Sequence, residues 1–393
     1  RENHSRGLVD LLHAKKMGAL NVIFPIMIVV VETAASPIQI VSTTSTSKDS
    51  LTGPDKMIAL TLPDVVDLRD IQFRLEPKFE SYTTSNASSN PFFQILVHSK
   101  PGHFEARSLI RKTWGSVKEI EGHIVRVAFL IGSQSSAEGK FFSDQKLNSA
   151  ESIPIKVFRD LRSISSLKRK SNLAGRLTEE AYTYGDILQG SFLDTPQNDS
   201  IKHMLGLKWA QEQIASGIKP DFILKTEDHV FIEIFHLVNF VQAVYSSKKA
   251  HERSLICDVI PRGTGPRENN MISLVPLPGH QDPVELYPDY CSGSGFLLSP
   301  DLVSEILETS TKVPKFWNGD IYVTGLIRQA LRISPKYLNL RYSNDEQSYM
   351  KWLESKSTLP LPYIFVTLNA SNPDGMVDVF KRLWTKTISI QNQ

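Results

Sequence analysis

The chain has 393 residues, of which 41% are hydrophobic and 22% are charged. This composition is typical of globular proteins, and the length suffices for one large domain or two smaller ones. The formal net charge of +2 gives no reason to expect a nucleic acid partner, because such partners call for a basic surface. Only two cysteines occur, Cys257 and Cys291. They allow one possible disulfide and do not by themselves fix the cellular compartment.

An apolar run near the N-terminus is typical of a signal peptide or a short signal-anchor. It covers residues 18–31 and follows Lys15 and Lys16. The run is shorter than the roughly 20 residues that span a bilayer, but it has the charged flank and apolar middle of a targeting segment. The basic flank favours a cytoplasmic tail over residues 1–17, an anchor over residues 18–35 and a lumenal remainder. A buried strand or helix of a soluble domain is the alternative.

Residues 36–89 are rich in serine and threonine. Segments of this kind rarely bury a core, so they predict a stem that connects the anchor to a single domain over residues 90–393.

From Phe92 onward, apolar strand-like runs alternate with helical patterns. The predicted strands are 92–97, 124–131, 185–190 and 221–226, and the predicted helices are 104–114, 137–147, 173–182 and 201–216. This alternation favours an α/β fold with a largely parallel sheet covered by helices on both faces.

Polar side chains follow directly after one of the buried strands. Glu227, Asp228 and His229 come after the apolar run 222–224, and apolar residues resume at once. An open α/β sheet binds its ligands at such strand ends. Carboxylate oxygens suit Mg²⁺ or Mn²⁺, and imidazole is acceptable to Mn²⁺. The alternative is a solvated turn after a core strand.

The first predicted helix carries two arginines on one face. Arg107 and Arg111 are four residues apart, a spacing that makes side chains neighbours on a helix. Guanidinium groups there could clamp a diphosphate through paired hydrogen bonds. A solvated basic face is the alternative.

Further blocks of polar residues and glycines follow in order along the chain. They are 184–188, 192–202, 287–299 and 320–325. In the third of these, Gly293 and Gly295 let the backbone approach a ligand closely or let a strand bulge. Three Asn-X-Ser sequons also occur, at Asn86, Asn198 and Asn369, and they predict glycosylation if the region is lumenal.

In their joint order and spacing, these blocks resemble the β-1,3-galactosyltransferase family of Golgi hexosyltransferases over about residues 92–331. The family's Arg-x-x-Ile-Arg-x-Thr-Trp motif corresponds to residues 107–114, and its Tyr-Gly-Asp-Ile motif corresponds to residues 184–187. Its Tyr-Pro-x-Tyr-x-x-Gly-x-Gly-Tyr motif corresponds to residues 287–296, and its Glu-Asp-Val motif aligns with residues 319–321.

The resemblance implies a GT-A fold with a mostly parallel, Rossmann-like sheet. It implies an inverting enzyme that uses Mn²⁺ or Mg²⁺ and moves galactose or N-acetylglucosamine from a UDP-sugar donor. The acceptor would be a glycan on protein or lipid, and the linkage β-1,3. A single-pass type II protein of the Golgi membrane with a lumenal catalytic domain is expected.

The resemblance also implies roles for individual residues. Asp320 is expected to be the catalytic base that deprotonates the acceptor hydroxyl, and the cap of the following helix is its alternative role. Asp228 and His229 are expected to bind the metal. Glu227 and Asp228, with Arg107 and Arg111, are expected on the donor side.

Three departures from the family pattern matter. The family's Asp-Asp-Asp motif is Glu227-Asp228-His229 here, Gly319 replaces the glutamate of Glu-Asp-Val, and Pro196 replaces a tyrosine. Because two of these departures lie in the predicted metal site, an alternative function is a catalytically inactive member that binds a glycan, a nucleotide sugar or a partner enzyme. A third class is a stem-tethered structural protein without a ligand.

Overall fold

The structure is a computed structural model that describes residues 65–79, 92–134, 173–245, 252–262, 267–268, 271–272, 288–338 and 341–393. All of these residues belong to the compact unit Thr61–Gln393. The predicted tail and anchor, most of the predicted stem and the helix predicted over 137–147 lie outside the described residues. Among the helices described, none is both long enough and apolar enough to cross a membrane.

The described part of the chain contains strands and helices in alternation. The strands are β1 (Phe73–Leu75), β2 (Phe93–His98), β3 (Glu119–Ile120), β4 (His123–Ser133), β5 (Ile187–Leu193), β6 (Phe222–Glu227), β7 (Val230–Ile232), β8 (Leu255–Ile260), β9 (Arg267–Glu268), β10 (Met271–Ile272), β11 (Tyr290–Leu298), β12 (Lys336–Tyr337), β13 (Tyr342–Ser343) and β14 (Phe365–Thr367).

The helices are α1 (Phe104–Lys112), α2 (Leu173–Tyr184), α3 (Asp199–Ala215), α4 (Ile234–Tyr245), α5 (Asp301–Ser310), α6, α7 (Glu346–Glu354) and α8 (Pro373–Gln391). Helix α6 begins as Gly319–Ile321, continues as a π-helical segment Tyr322–Ile327 and ends as Arg328–Ala330.

The main sheet is mixed. Its nine strands lie in the order β1-β5-β4-β2-β6-β11-β8-β12, with β3 paired to β4. Strands β5, β4, β2 and β6 run parallel, whereas β11 runs antiparallel to both of its neighbours. The prediction of a mostly parallel sheet is therefore wrong. The alternation of strands and helices predicts parallel pairing correctly as far as β6. Beyond it, the chain between β8 and β11 contains the antiparallel pair β9 and β10 and no crossover helix among the described residues. Antiparallel neighbours need no such helix, so the pattern did not predict them.

Helices cover both faces of the sheet, as the alternation predicted. On β2, Phe93, Ile95 and Val97 pack with α1, α4 and α8, and Leu96 packs on the opposite face with α3, α5 and α6. Because side chains alternate along a strand, His98 lies on the same face as Leu96. This face carries the polar groups described below.

Strand β6 follows the same alternation. Phe222 and Leu224 pack on the α1 face and Ile223 packs on the α3 face. The period of two therefore places Lys225 and Glu227 on the α3 face as well. A lysine within a fully buried strand requires charged partners nearby.

Part of the segment that the sequence assigned to the stem packs against the domain. Strand β1 pairs antiparallel with β5 at the sheet edge, and Val66 and Ile71 are buried. The Nζ atom of Lys208 donates to the backbone carbonyls of Leu68 and Ile71, at 3.2 and 2.7 Å. The predicted domain start near residue 90 therefore lies too late, because a few well-spaced apolar residues suffice to anchor an otherwise polar segment.

Cys257 on β8 and Cys291 on β11 form the disulfide that the sequence allowed, with their Cα atoms 5.6 Å apart. It crosslinks two neighbouring strands of the main sheet.

The sequons differ in their surroundings. Asn86 lies outside the described residues. The Asn198 amide nitrogen donates to the Leu193 carbonyl at 3.0 Å, and Ser200 of the same sequon is buried. Asn369 is exposed and its Oδ1 accepts from the Ser371 amide at 2.9 Å. Glycosylation of all three stays a prediction.

Substituting Ile71 tests whether the 65–79 segment belongs to the folded domain. We expect Ile71→Ala to lower the free energy of unfolding by about 2–4 kcal/mol, because it removes a buried side chain. Val65→Ala is the control, since Val65 is 38% exposed and such surface changes usually stay within about 0.5 kcal/mol. Urea unfolding of the full chain measures both. Equal, small effects would show that this segment does not pack as described.

Candidate active site

The carboxyl ends of β2 and β6 lie side by side, where the register pairs His98 with Glu227. Helix α6 brings Asp320 to the same place. A Cβ atom added at Gly293 of β11 would lie 2.4 Å from Asp320 Oδ2 and 3.0 Å from Glu227 Oε1. Glycine at position 293 therefore makes room for both carboxylates, which is the close approach that the sequence suggested.

A buried lysine joins these two carboxylates. Lys225 is 4% exposed, and its Nζ atom donates to Asp320 Oδ1 at 2.8 Å, Glu227 Oε1 at 3.3 Å and the Gly293 carbonyl at 3.2 Å. Burial opposes the charged ammonium, but the carboxylates of Asp320 and Glu227 outweigh it and raise the pKa of Lys225. Two motifs that are far apart in the sequence thus meet at one ion-pair network.

Asp320 stays ionised at neutral pH. Burial raises its pKa, but the Lys225 ammonium outweighs burial and lowers the pKa to about 2. The alternative role of Asp320 as helix cap is filled by another residue, because Asn318 Oδ1 accepts from the Ile321 amide at 2.9 Å. The Asp320 side chain is therefore turned toward the strand ends.

Asp228 is held by two side chains from the segment after β2. Its Oδ2 accepts from Ser99 Oγ at 2.7 Å and lies 2.9 Å from His103 Nδ1. Burial raises the pKa of Asp228, but the His103 and Ser99 contacts outweigh it and leave the pKa below its usual value. Among the described residues, none donates a hydrogen bond to its other oxygen, Oδ1.

The predicted metal ligands come together on this turn. We name Glu227, Asp228 and His229 the carboxylate site. His229 Nδ1 lies 3.4 Å from Glu227 Oε2 and 4.0 Å from Asp228 Oδ1. The Asp228 carboxylate oxygen and the His229 imidazole nitrogen are ligand types that suit Mn²⁺. The residues present therefore fit the metal that the resemblance implies.

Arg107 lies behind this site and not in it. The side chain is fully buried. Its guanidinium donates to the two Glu180 oxygens at 3.0 and 2.7 Å, to Ser99 Oγ at 3.0 Å and to the carbonyls of Lys100 and Pro101 at 2.6 and 3.1 Å. These bonds occupy the five N–H groups of an arginine, so the geometry does not support a direct clamp on a diphosphate. Arg107 instead positions Ser99, which in turn holds Asp228.

Arg111 is likewise paired. Its guanidinium donates to both oxygens of Asp186 at 2.8 Å and to Glu180 at 2.7 Å. It also lies over the Tyr184 ring, 4.1 Å from the centroid. The arginine motif and the Tyr-Gly-Asp-Ile motif therefore belong to one ion-pair network. Their spacing in the sequence alone could not show this contact.

A second cluster lies next to the carboxylate site, and sequence reasoning missed it. We name His98, Asp199 and His203 the histidine site. One ligand atom from each lies within 4.8 Å of those of the other two. Asp199 and His203 are four residues apart on α3, a spacing that makes their side chains neighbours, but the predicted helix began at residue 201 and left Asp199 out. The place of His98 beside them required the sheet.

The fold and the strand-end site define an α/β protein with a polar, ionised binding site. Comparisons with known proteins identify its family. The Galactosyltransferase family model matches residues 165–339. The UDP-GalNAc:β-1,3-N-acetylgalactosaminyltransferase 1 of Mus musculus is 30% identical over 263 residues, which cover 66% of this chain and 67% of the relative.

Two other relatives have related names. The acetylgalactosaminyl-O-glycosyl-glycoprotein β-1,3-N-acetylglucosaminyltransferase of Mus musculus is 31% identical over 61% of this chain and 52% of its own length. The β-1,3-galactosyltransferase 9 of Homo sapiens is 27% identical over 60% of this chain and 52% of its own length. The chain belongs to the β-1,3-galactosyltransferase family of hexosyltransferases, which confirms the resemblance.

Among solved structures, the galactosyltransferase LgtC in complex with donor and acceptor sugar analogs matches 75% of this chain and 95% of its own. The TM-score is 0.33 and the identity is 11%, so this likeness supports no statement about the chain.

Replacing Arg107 tests its positioning role. We expect Arg107→Met to lower the free energy of unfolding by about 3 kcal/mol, because it leaves the buried Glu180 without one of its two cations. Arg107→Lys should restore little of the lost stability, since an ammonium cannot reproduce the planar set of hydrogen-bond donors of a guanidinium. Urea unfolding of each variant measures the effect.

Arg176→Met is the matched control, because Arg176 is exposed and its guanidinium lies over the Phe104 ring at 4.0 Å. We expect a loss below about 1 kcal/mol there. If the Arg107 variants kept wild-type stability and lost only UDP affinity, the result would support the original prediction that Arg107 binds the diphosphate.

Proposed function

We propose that the chain is an inverting hexosyltransferase with a GT-A fold. It moves galactose, N-acetylglucosamine or N-acetylgalactosamine from a UDP-sugar to a glycan acceptor in β-1,3 linkage. The observation that carries this proposal is the placement of the Asp320 carboxylate next to Glu227 at the strand ends, where both lie against Gly293. The names of the relatives support the donor class and the linkage.

Asp228 and His229 would hold the Mn²⁺ ion of the proposed reaction. Asp228 Oδ1 is the oxygen left over by Ser99 and His103, and it faces His229 Nδ1. A bound divalent ion supplies positive charge for the departing UDP diphosphate. Glu227, which is 34% exposed at its side chain, is placed to accept hydrogen bonds from the donor ribose.

Asp320 would take the proton of the acceptor hydroxyl as that oxygen attacks the anomeric carbon. The new C–O bond forms as the bond to the UDP oxygen breaks, and the electron pair leaves with UDP. The low pKa of Asp320 keeps the base unprotonated at neutral pH. Since a base with a pKa of about 2 is weak, the acceptor must loosen the Asp320 contact with Lys225 as it binds.

The same ion pair favours the second candidate function, which is a catalytically inactive member that binds a nucleotide sugar, a glycan or a partner enzyme. A carboxylate tied to a buried ammonium at 2.8 Å is well placed to hold strand β6 and helix α6 together without taking a proton. Turnover separates the two functions, and binding of UDP with Mn²⁺ does not.

The proposal includes a lumenal domain of a type II Golgi membrane protein, anchored near its N-terminus. The Cys257–Cys291 disulfide supports a lumenal location, because disulfides persist in oxidising compartments.

Substituting His229 tests the proposed metal site. We expect His229→Ala to weaken Mn²⁺ binding by about tenfold or more, since even groups that only orient a ligand contribute 10–100-fold. His229→Asp should maintain or strengthen binding, because a further carboxylate adds negative charge opposite the ion. Calorimetric titration with Mn²⁺ in the presence of UDP measures both.

The control is His123→Ala, which removes an imidazole that packs at a tilt against the Phe92 ring at the opposite end of β2. Unchanged Mn²⁺ affinity in both His229 variants would remove His229 from the ligand set.

Substituting Asp320 tests the proposed base. Asp320→Asn should reduce sugar transfer by about 10²- to 10⁴-fold, because the amide cannot accept the proton. UDP binding should persist. The measurement is UDP release and product formation from a panel of UDP-sugars and acceptor sugars, expressed per folded molecule.

Asn318→Ala is the matched control on the same helix. It removes the cap, at a cost of about 1 kcal/mol, but keeps the carboxylate, so transfer per folded molecule should stay near the wild-type rate. Equal transfer by Asp320→Asn and the wild type would exclude Asp320 as the base. Absence of transfer by the wild type with every donor would support the binding function.

A further inference from the structure

The histidine site gathers three metal-ligand side chains at bonding-compatible distances. His98 Nδ1 lies 3.6 Å from Asp199 Oδ1, and His203 Nε2 lies 3.8 Å from Asp199 Oδ2. In a tetrahedral zinc site, ligands at about 2.0–2.2 Å from the ion lie roughly 3.3 Å from one another. These two pairs are slightly wider apart than ligands around a bound ion, and one ligand atom from each of the three residues lies within 4.8 Å of those of the other two.

One ligand atom in this cluster lacks a hydrogen bond. The His203 side chain is 3% exposed, and its buried Nε2 atom makes no hydrogen bond to any described residue. It faces carboxylate oxygens of both Asp199 and Asp320, the latter at 3.3 Å. Buried polar atoms normally have a partner, so an orphaned nitrogen that faces carboxylates points to a missing cation or proton.

The surrounding backbone is shaped to keep these groups in place. A Cβ atom at Gly319 would lie 2.1 Å from His203 Cδ2 and 2.6 Å from its Nε2. The glycine that departs from the family pattern therefore makes the space that His203 fills. The Gly319 amide also donates to Asp199 Oδ2 at 2.8 Å, which leaves Asp199 Oδ1 directed toward His98.

We propose that His98, Asp199 and His203 bind a zinc-class divalent ion, at a site separate from the carboxylate site. Two imidazoles and one carboxylate are a common ligand set for zinc, and the fourth position is left to water or to a neighbouring group. The Asp199 side chain is 32% exposed, which gives the ion a path from solvent.

The site differs in chemistry from the carboxylate site. Two of its three ligands are nitrogens, and nitrogen ligands favour Zn²⁺ over Mn²⁺ in the ordinary affinity order of divalent ions. The carboxylate site offers mainly oxygens, which suit Mn²⁺ and Mg²⁺. The two neighbouring sites therefore differ in the ligand types that they offer to a divalent ion.

The bound ion would fix the start of helix α6. The Asp199 carboxylate would then bind the ion while its Oδ2 keeps the hydrogen bond from the Gly319 amide. Gly319 directly precedes Asp320, so the ion would act as a positioning element for the proposed base. The site itself does not depend on the proposed transfer reaction, since it is defined by metal binding.

The test is metal binding by the intact chain. Protein purified without chelators and dialysed should retain about one zinc per chain by elemental analysis. Replacement with Co²⁺ should give the intense visible absorption bands of a tetrahedral site. Zn²⁺ at 100 times its dissociation constant should raise the melting temperature by about 5 °C over chelator-treated protein.

Single substitutions locate the ion. His203→Gln and His98→Gln should each lower the zinc content and abolish the cobalt bands, whereas His123→Gln should keep both. Asp228→Asn should lose Mn²⁺ affinity and keep zinc. A wild type with no zinc, no cobalt bands and no thermal shift would overturn the proposal, whether or not the variants fold. Zinc that is lost in Asp228→Asn and kept in His203→Gln would overturn it too, by placing the ion at the carboxylate site.

Discussion

The buried ammonium of Lys225 is the constraint on which the site depends. An isolated charge within a packed sheet is too costly to exist, so Lys225 requires carboxylates within contact distance. It obtains them from Glu227 on its own strand and from Asp320 on helix α6. The lysine therefore ties a parallel strand, the antiparallel strand that bears Gly293 and a helix from a distant part of the chain into one structure.

A second layer of charge supports the first. Arg107 and Arg111 face Glu180 and Asp186, so cations and carboxylates balance beneath helix α1. The Ser99 hydroxyl connects these ion pairs to Asp228, because it accepts a hydrogen bond from Arg107 and donates one to Asp228. Arg107 thus acts on the proposed metal site through one intervening hydroxyl. A buried network of this kind is costly to break at any single member.

Two glycines decide how closely the elements of the site can approach. Gly293 lets Asp320 and Glu227 approach β11 closely, and Gly319 lets His203 reach the start of helix α6. The change at position 319 removes a carboxylate from the family's motif, while Asp199 brings another carboxylate to the amide of the same residue. Gly319 and Asp199 are therefore in direct contact although they lie 120 residues apart in the sequence.

The sequence by itself determined the class of fold and the family. Alternating apolar strands and helices are local patterns, so they predict helices on both faces of a sheet and the parallel pairing of β5, β4, β2 and β6. The Glu227-Asp228-His229 turn was also predictable, because polar residues directly after a buried strand must lie at a strand end. The two cysteines could only pair with each other within one chain.

Only the tertiary structure decided which distant groups meet. The antiparallel place of β11 depends on sheet pairing across a long stretch of chain, and local periodicity does not encode it. The buried role of Arg107 depends on Glu180, which lies 73 residues away. The histidine site joins a strand end to a helix more than 100 residues later. Contacts of this kind arise from packing, since residues far apart in sequence become neighbours only when the whole sheet has formed.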